Sequence, residues 1–206
     1  MIEIDSILKV EDLLDGIEFV VFDLDDTLYS EKEYVRSGYH KISEAFCIPK
    51  LEQELWEAFT QGKKAIDVVF EKEGLLDRKD EAVSIYRKQC PTIHLYDSVR
   101  DMLQRIKKSG KILGMLTDGR PEGQHAKIKA LDLENLFDEI VITDELGGVE
   151  CRKPNSIGFV KLHEKTGIPY NKMAYIGDNL NKDFVAPEKL GMKCIHFNNS
   201  DGLYIV

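Results

Sequence analysis

The chain is 206 residues long, with 32% charged and 43% hydrophobic residues, the mix of a globular protein that buries a substantial core. That length predicts one core with at most one modest insertion, and the composition excludes a disordered, collagen-like or disulfide-scaffold chain. Thirty-seven acids against 28 bases leave a net charge of −9, which repels polyanions at long range and predicts no nucleic-acid partner and no membrane surface. A small phosphorylated ligand stays admissible, because local groups decide its binding.

In chain order, residues 1–16 read as a short amphipathic lead-in packed on the core. They carry Glu3, Asp5 and Lys9 and lack the basic-then-apolar order of a secretory signal. Residues 17–22 (IEFVVF) form a β-branched and aromatic run that stops at acids, which predicts a strand buried on both faces of a parallel sheet. Residues 30–93 hold no strand-like run; helical stretches at 39–46, 52–59 and 81–88 predict an all-helical insertion. Asp97 and Ser98 are placed to cap a helix with the apolar stripe Val99, Met102, Leu103 and Ile106, closing at Gly110. Further strands are expected at 111–116, 139–142, 173–176 and 193–197. Between them lie helices marked by Ile128 and Leu131, by Ile157, Val160 and Leu162 up to Gly167, and by Phe184, Val185 and Leu190. This alternation is the signature of an α/β fold, a parallel sheet with helices on its faces. Cys47, Cys90, Cys151 and Cys194 are far apart and form no C-x-x-C, which predicts neither a thiolate metal cage nor disulfides. The apolar runs are strand-sized, far below the ~20 residues that span a bilayer, so the expected location is cytoplasmic.

In an open parallel sheet, residues just past the carboxyl ends of strands converge on one crevice. Here those residues are Asp23, Asp25, Asp26 and Thr27; Thr117, Asp118 and Gly119; and Gly177 and Asp178, with Asp183 further on. Lys153 precedes Pro154 at the expected start of a helix. Each group alone is ordinary turn or capping chemistry, and a lone lysine is ordinarily a solvated charge. Their conjunction, in an order that gathers them at one sheet edge, points to a site. Carboxylates crowded at one edge repel unless a cation sits among them, and hard oxygen donors select Mg2+. A lysine in the same crevice neutralises a nucleophilic carboxylate and the charge on a transferring phosphoryl group. The Thr117 hydroxyl and neighbouring backbone N–H groups suit its equatorial oxygens.

The segments FDLDDTL (22–28), LTDG (116–119), KP (153–154) and GDNLNKD (177–183) together resemble the four motifs of the haloacid dehalogenase superfamily, over about residues 17–197. The resemblance implies a Rossmann-like catalytic core at 1–29 and 94–206, an inserted C1-type helical cap at 30–93, and the phosphatase branch. It implies that Asp23 is the nucleophile that forms an aspartyl-phosphate, and that Asp25 is first general acid and then general base. Thr117, Asp118, Gly119 and Lys153 would surround the phosphoryl group. Mg2+ would be held by the Asp23 carboxylate, the Asp25 backbone carbonyl and the Asp178 carboxylate, with Asp183 a direct ligand or a support. Halide-removing relatives lack an acid two residues after the nucleophile, because a carbon–halogen bond needs no proton on its leaving group; Asp25 therefore favours phosphoryl transfer. Asp118 stands where many relatives carry asparagine, and it is expected to turn away from the phosphate site or to pair with Arg120 or Lys127. Gly119 fits a tight turn. Asp26 is expected to cap or hydrogen-bond the loop after the first strand and not to ligate metal.

The resulting expectation is a Mg2+-dependent phosphomonoester hydrolase acting on a small phosphorylated metabolite. A cap closing over the crevice would exclude water. Tyr29, Tyr34, Arg36 and Tyr39 either face the substrate or belong to the cap's own core and surface. One alternative is a phosphomutase sharing the aspartyl-phosphate step; such relatives commonly have glycine where Asp26 stands. Another is a phospho-accepting switch resembling a response-regulator receiver, but receivers are shorter, lack a helical insertion and lack the second acid. None of the five histidines is assigned a role.

Overall fold

The computed structural model describes residues 1–203, which contain six strands. They are β1 (Ile2–Ile4), β2 (Phe19–Phe22), β3 (Ile112–Thr117), β4 (Glu139–Ile142), β5 (Met173–Gly177) and β6 (Lys193–Phe197). All pair in parallel, in the order β1-β6-β5-β2-β3-β4. This is an α/β, Rossmann-like fold, with β2 between β3 and β5 at the centre. Every residue of β2 is buried, as expected of a parallel strand covered on both faces.

Alternate residues of β2 face opposite layers. Phe19 and Val21 join Leu116, Phe159, Tyr175 and Phe184 in one apolar cluster. Gly114 in β3 leaves room for the Phe19 ring, which a Cβ there would meet at 2.5 Å. Helix α5 (Val99–Lys108) packs on β3 and on the 3-10 turn Ile7–Leu13, burying the predicted stripe. The helices α6 (Pro121–Ala130), α7 (Ile157–Thr166) and α8 (Val185–Leu190) complete the layers, α7 against β3 and β4 and α8 against β6.

Three local expectations need correction. The lead-in contains an edge strand, β1, whose register comes from β6 (Ile2 beside Ile195, Ile4 beside Phe197) and not from a run of its own. Ser98 does not cap α5: it sits at φ 62°, in the left-handed region, and its side chain makes no capping bond. Lys153 lies in the loop before α7 rather than at the helix start.

The chain divides into two compact units, Met1–Glu31 with the chain from His94 onward, and Lys32–Ile93. The second unit is built on α1 (Glu31–Phe46), α2 (Lys50–Thr60), α3 (Ala65–Lys72) and α4 (Lys79–Arg87). Its core includes Tyr39, Ile42, Phe46, Leu55 and Phe70, with the Phe46 and Phe70 rings edge-on at 5.2 Å. Tyr34 packs edge-on against Tyr86, and the Arg36 guanidinium lies 4.7 Å from the centre of the Trp56 ring. Tyr34, Arg36 and Tyr39 thus take part in this unit's own packing. Among the described residues no helix is long and apolar enough to cross a membrane, and all four cysteines are free.

Candidate active site

The site is built from strand ends. The Asp23 N–H donates to the Ile176 carbonyl at 2.8 Å, prolonging the β2–β5 ladder one residue past Phe22. This places the Asp23 carboxylate, 2% exposed, at the carboxyl edge of the central strand. Its Oδ1 accepts from the Leu24 N–H at 2.8 Å. At the end of β5, glycine is required at 177, because a Cβ there would lie 2.5 Å from Asp183 Oδ2. The Asn179 N–H donates to that oxygen at 2.9 Å, so the loop curls and brings Asp183 back beside Asp178.

Lys153 Nζ sits wholly buried between the two loops, 2.9 Å from Asp23 Oδ2 and 2.9 Å from Asp183 Oδ1, and donates to the Tyr175 hydroxyl at 2.8 Å. Carboxylate oxygens of Asp23, Asp178 and Asp183 all lie within 4.8 Å of one another. Burial pushes the Asp23 carboxyl up to about 6 against the pull of Lys153. Burial and the charges of Asp23 and Asp183 push Asp178 up to about 8. Three converging hard oxygen donors, short of positive charge, fit a small divalent cation. Thr27 steadies Asp178 by donating to its Oδ1 at 3.3 Å.

The Asp25 side chain points away from this cluster. Its Oδ1 takes Lys127 Nζ at 2.7 Å and the Tyr29 hydroxyl, and its Oδ2 takes Gln124 Nε2 at 3.0 Å. Burial works to raise this carboxyl, but Lys127 and the bonds from Tyr29 and Gln124 outweigh it and hold the group below the usual carboxylate range. Gln124 also donates to Thr117 Oγ1 at 2.5 Å, tying the ends of β2 and β3 together. Gly119, at φ 143°, lies beneath the Gln124 side chain, which a Cβ would meet at 3.1 Å.

Asp118 pairs with neither Arg120 nor Lys127. Lys127 is taken by Asp25, while Asp118 Oδ1 accepts from the Thr143 hydroxyl at 2.9 Å and the Lys153 N–H at 3.1 Å. Its Oδ2 lies 3.6 Å from Lys182 Nζ. Asp26, at φ 52°, accepts from the Glu31 N–H and the Leu203 N–H, both at 2.8 Å, and so fixes the loop after β2. The structure therefore gathers Asp23, Lys153, Asp178 and Asp183, sets Asp25 with Thr117 beside Gln124, and turns Asp118 toward Thr143. Sequence reasoning missed Gln124, Lys127 and Tyr29 as partners of Asp25. The available signal was their spacing: Gln124 and Lys127 share one face of a helix that begins with Pro121 just after Gly119.

The haloacid dehalogenase-like hydrolase family profile matches residues 20–197, and the chain belongs to this family of hydrolases. It is 26% identical over 191 residues to "Glyceraldehyde 3-phosphate phosphatase" of Methanocaldococcus jannaschii, covering 85% of this chain and 82% of that protein. It is likewise 26% identical over 187 residues to "Pyrophosphatase PpaX" of Halalkalibacterium halodurans, covering 86% and 81%. In fold it is similar to a HAD-superfamily hydrolase of subfamily IA, variant 1, from Geobacter sulfurreducens, with a TM-score of 0.71 and 18% identity over 90% of this chain and 89% of that one. It is also similar to the HAD-hydrolase YfnB of Bacillus subtilis, solved bound to magnesium, with a TM-score of 0.66 and 19% identity over 88% and 87%.

Proposed function

We propose that the chain is a magnesium-dependent phosphomonoester hydrolase acting on a small phosphorylated metabolite through an aspartyl-phosphate on Asp23, with 1–29 and 94–206 as catalytic core and 30–93 as cap. One observation carries the reading: the Asp23, Asp178 and Asp183 carboxylates converge at the carboxyl edge of the sheet, with Lys153 between Asp23 and Asp183. The phosphatase names of relatives matched over about four-fifths of their length favour phosphate esters, with a three-carbon sugar phosphate and pyrophosphate as the first compounds to try.

In this reading Asp23 attacks phosphorus, the phosphorus–ester oxygen bond breaks, and the leaving oxygen takes a proton from Asp25. Water then gives a proton to Asp25 and attacks the phosphorus of the aspartyl-phosphate, releasing phosphate and restoring both carboxyls. Held by Lys127, Gln124 and Tyr29, Asp25 is in its base form, suited to the second step; proton donation in the first step requires the Lys127 contact to open and Asp25 to take up a proton from solvent. Thr117 offers its hydroxyl to a phosphoryl oxygen, and Lys153 holds Asp23 oriented. Magnesium, held by the Asp23 carboxylate, the Asp25 backbone carbonyl and the Asp178 carboxylate, with Asp183 a direct ligand or a support, would offset the negative charge that carboxylates and phosphoryl oxygens place together.

The test is phosphate release from p-nitrophenyl phosphate and from a panel of phosphorylated metabolites, with and without magnesium. Asp23→Asn is expected to lower it by at least about a thousandfold; undiminished release would falsify the mechanism. Conversion of a hexose 1-phosphate into the 6-phosphate without free phosphate would establish the mutase instead. Asp26, bonded to two backbone N–H groups where such relatives commonly carry glycine, speaks against that outcome.

A further inference from the structure

The three donors of Lys153 are directed into the carboxylate cluster. An ammonium carries three N–H bonds, and Asp23 Oδ2, Asp183 Oδ1 and the Tyr175 hydroxyl take all three at 2.9, 2.9 and 2.8 Å. A second lysine at the same edge is differently placed. Lys182 lies between Asp178 and Asp183 in the curled loop, its own N–H bonded to the Asn179 carbonyl at 3.2 Å and the preceding Asn181 N–H to Asn179 Oδ1 at 3.0 Å. Its side chain is 31% exposed. Its one ion-pair partner among the described residues is Asp118, whose Oδ2 lies 3.6 Å away, beyond hydrogen-bonding distance.

Asp118 is in turn fixed through its other oxygen by Thr143 and the Lys153 N–H, at 2.9 and 3.1 Å. An acid beside a phosphate position repels the ligand unless a cation stands between them. Here the cation is present, anchored at its backbone, with its donors uncommitted.

We propose that Lys182 binds the phosphoryl oxygens of the substrate and that Asp118 is the tether holding it at the strand edge. The assignment rests on the hydrolase reading for its substrate but on binding alone for its test. A lysine serves as a point charge toward phosphate and needs no fixed fork geometry. The pair also accounts for the acid at 118, since together the two side chains are neutral.

The experiment measures thermal stabilisation of the magnesium-loaded protein by inorganic phosphate and by orthovanadate, alongside KM and kcat on p-nitrophenyl phosphate. Lys182→Met is expected to weaken phosphate binding and raise KM by roughly tenfold to a hundredfold, the worth of one charge-assisted hydrogen bond, with a smaller change in kcat. Lys182→Arg keeps most of the binding. Asp118→Asn weakens binding less than Lys182→Met and adds little in the Lys182→Met background. A Lys182→Met protein that responds to phosphate and vanadate like the wild type overturns the proposal. So does one whose magnesium affinity changes while its phosphate response does not, which marks Lys182 as a charge balance for the carboxylates. Absence of stabilisation of the wild type by either anion also overturns it. A wild type that hydrolyses no ester yet binds phosphate through Lys182 overturns the hydrolase reading and leaves this one standing.

Discussion

The strand-end region of the core and the helical insertion hold the same kinds of charged side chain in opposite settings. In the core, Lys153 is buried against Asp23 and Asp183, and Lys127, 5% exposed, against Asp25. In the insertion, Lys79 meets Asp67 at 2.5 Å and Lys50 meets Glu73 at 2.6 Å, but both lysines stand in solvent, and the interior is mostly rings and aliphatic chains, with Ser43 and Gln89 as buried uncharged polar side chains. Removing one member of a buried pair leaves an uncompensated charge in low dielectric, whereas solvent replaces a lost surface partner. The insertion therefore draws little of its stability from ion pairs and most of it from apolar packing. The core accepts desolvated charge at one edge, an arrangement that serves chemistry better than stability.

That contrast sets an order of expected effects. Lys153→Met, which strands two buried carboxylates, is expected to destabilise the metal-free protein by about 3–5 kcal/mol in urea unfolding; a loss as small as that of a surface pair would break the comparison. In the insertion an effect of that size should come only from an apolar truncation. Phe70→Ala, at a fully buried ring, is expected to cost about 3–5 kcal/mol.

Next comes a pH effect. Burial lifts Asp23 to about 6 and Asp178 to about 8, above the free aspartate value. The folded metal-free chain then holds more protons than the unfolded one across this range. The stability these groups contribute is complete below pH ~4 and is lost as pH rises toward 8. Magnesium bound at the proposed site would displace the same protons, so the rise in melting temperature it produces should be larger at pH 8 than at pH 6. A pH-independent rise would show that the ion binds elsewhere. The smallest effect belongs to Lys79→Ala in the insertion, which should leave the urea midpoint where it was.

The core strands and the strand-end acids Asp23, Asp118 and Asp178 were readable because each closes an apolar run, and run and acid together announce the strand end, whereas Lys153 follows no such run. The parallel topology sets Asp23 and Asp178 side by side, and the curl of the loop after β5 returns Asp183 to them. What escaped depends on partners distant in sequence. Lys127 and Gln124 look like solvent-facing helix residues until Asp25 is placed beside them, and the partner of Asp118 sits in the loop after β5. The edge strand β1 is three residues long, with only Ile4 buried, too short to declare itself without β6. Ser98 is a good capping residue by type, but its left-handed backbone turns the hydroxyl away from that use.

Whether Asp23 accepts the phosphoryl group is decided most directly by acid-quenching the enzyme during turnover with magnesium and p-nitrophenyl phosphate and mapping the adduct by mass spectrometry. A phosphoryl group on the peptide containing Asp23, absent from Asp23→Asn and from samples without magnesium, is the predicted result. Sustained turnover with the adduct on another residue would contradict it.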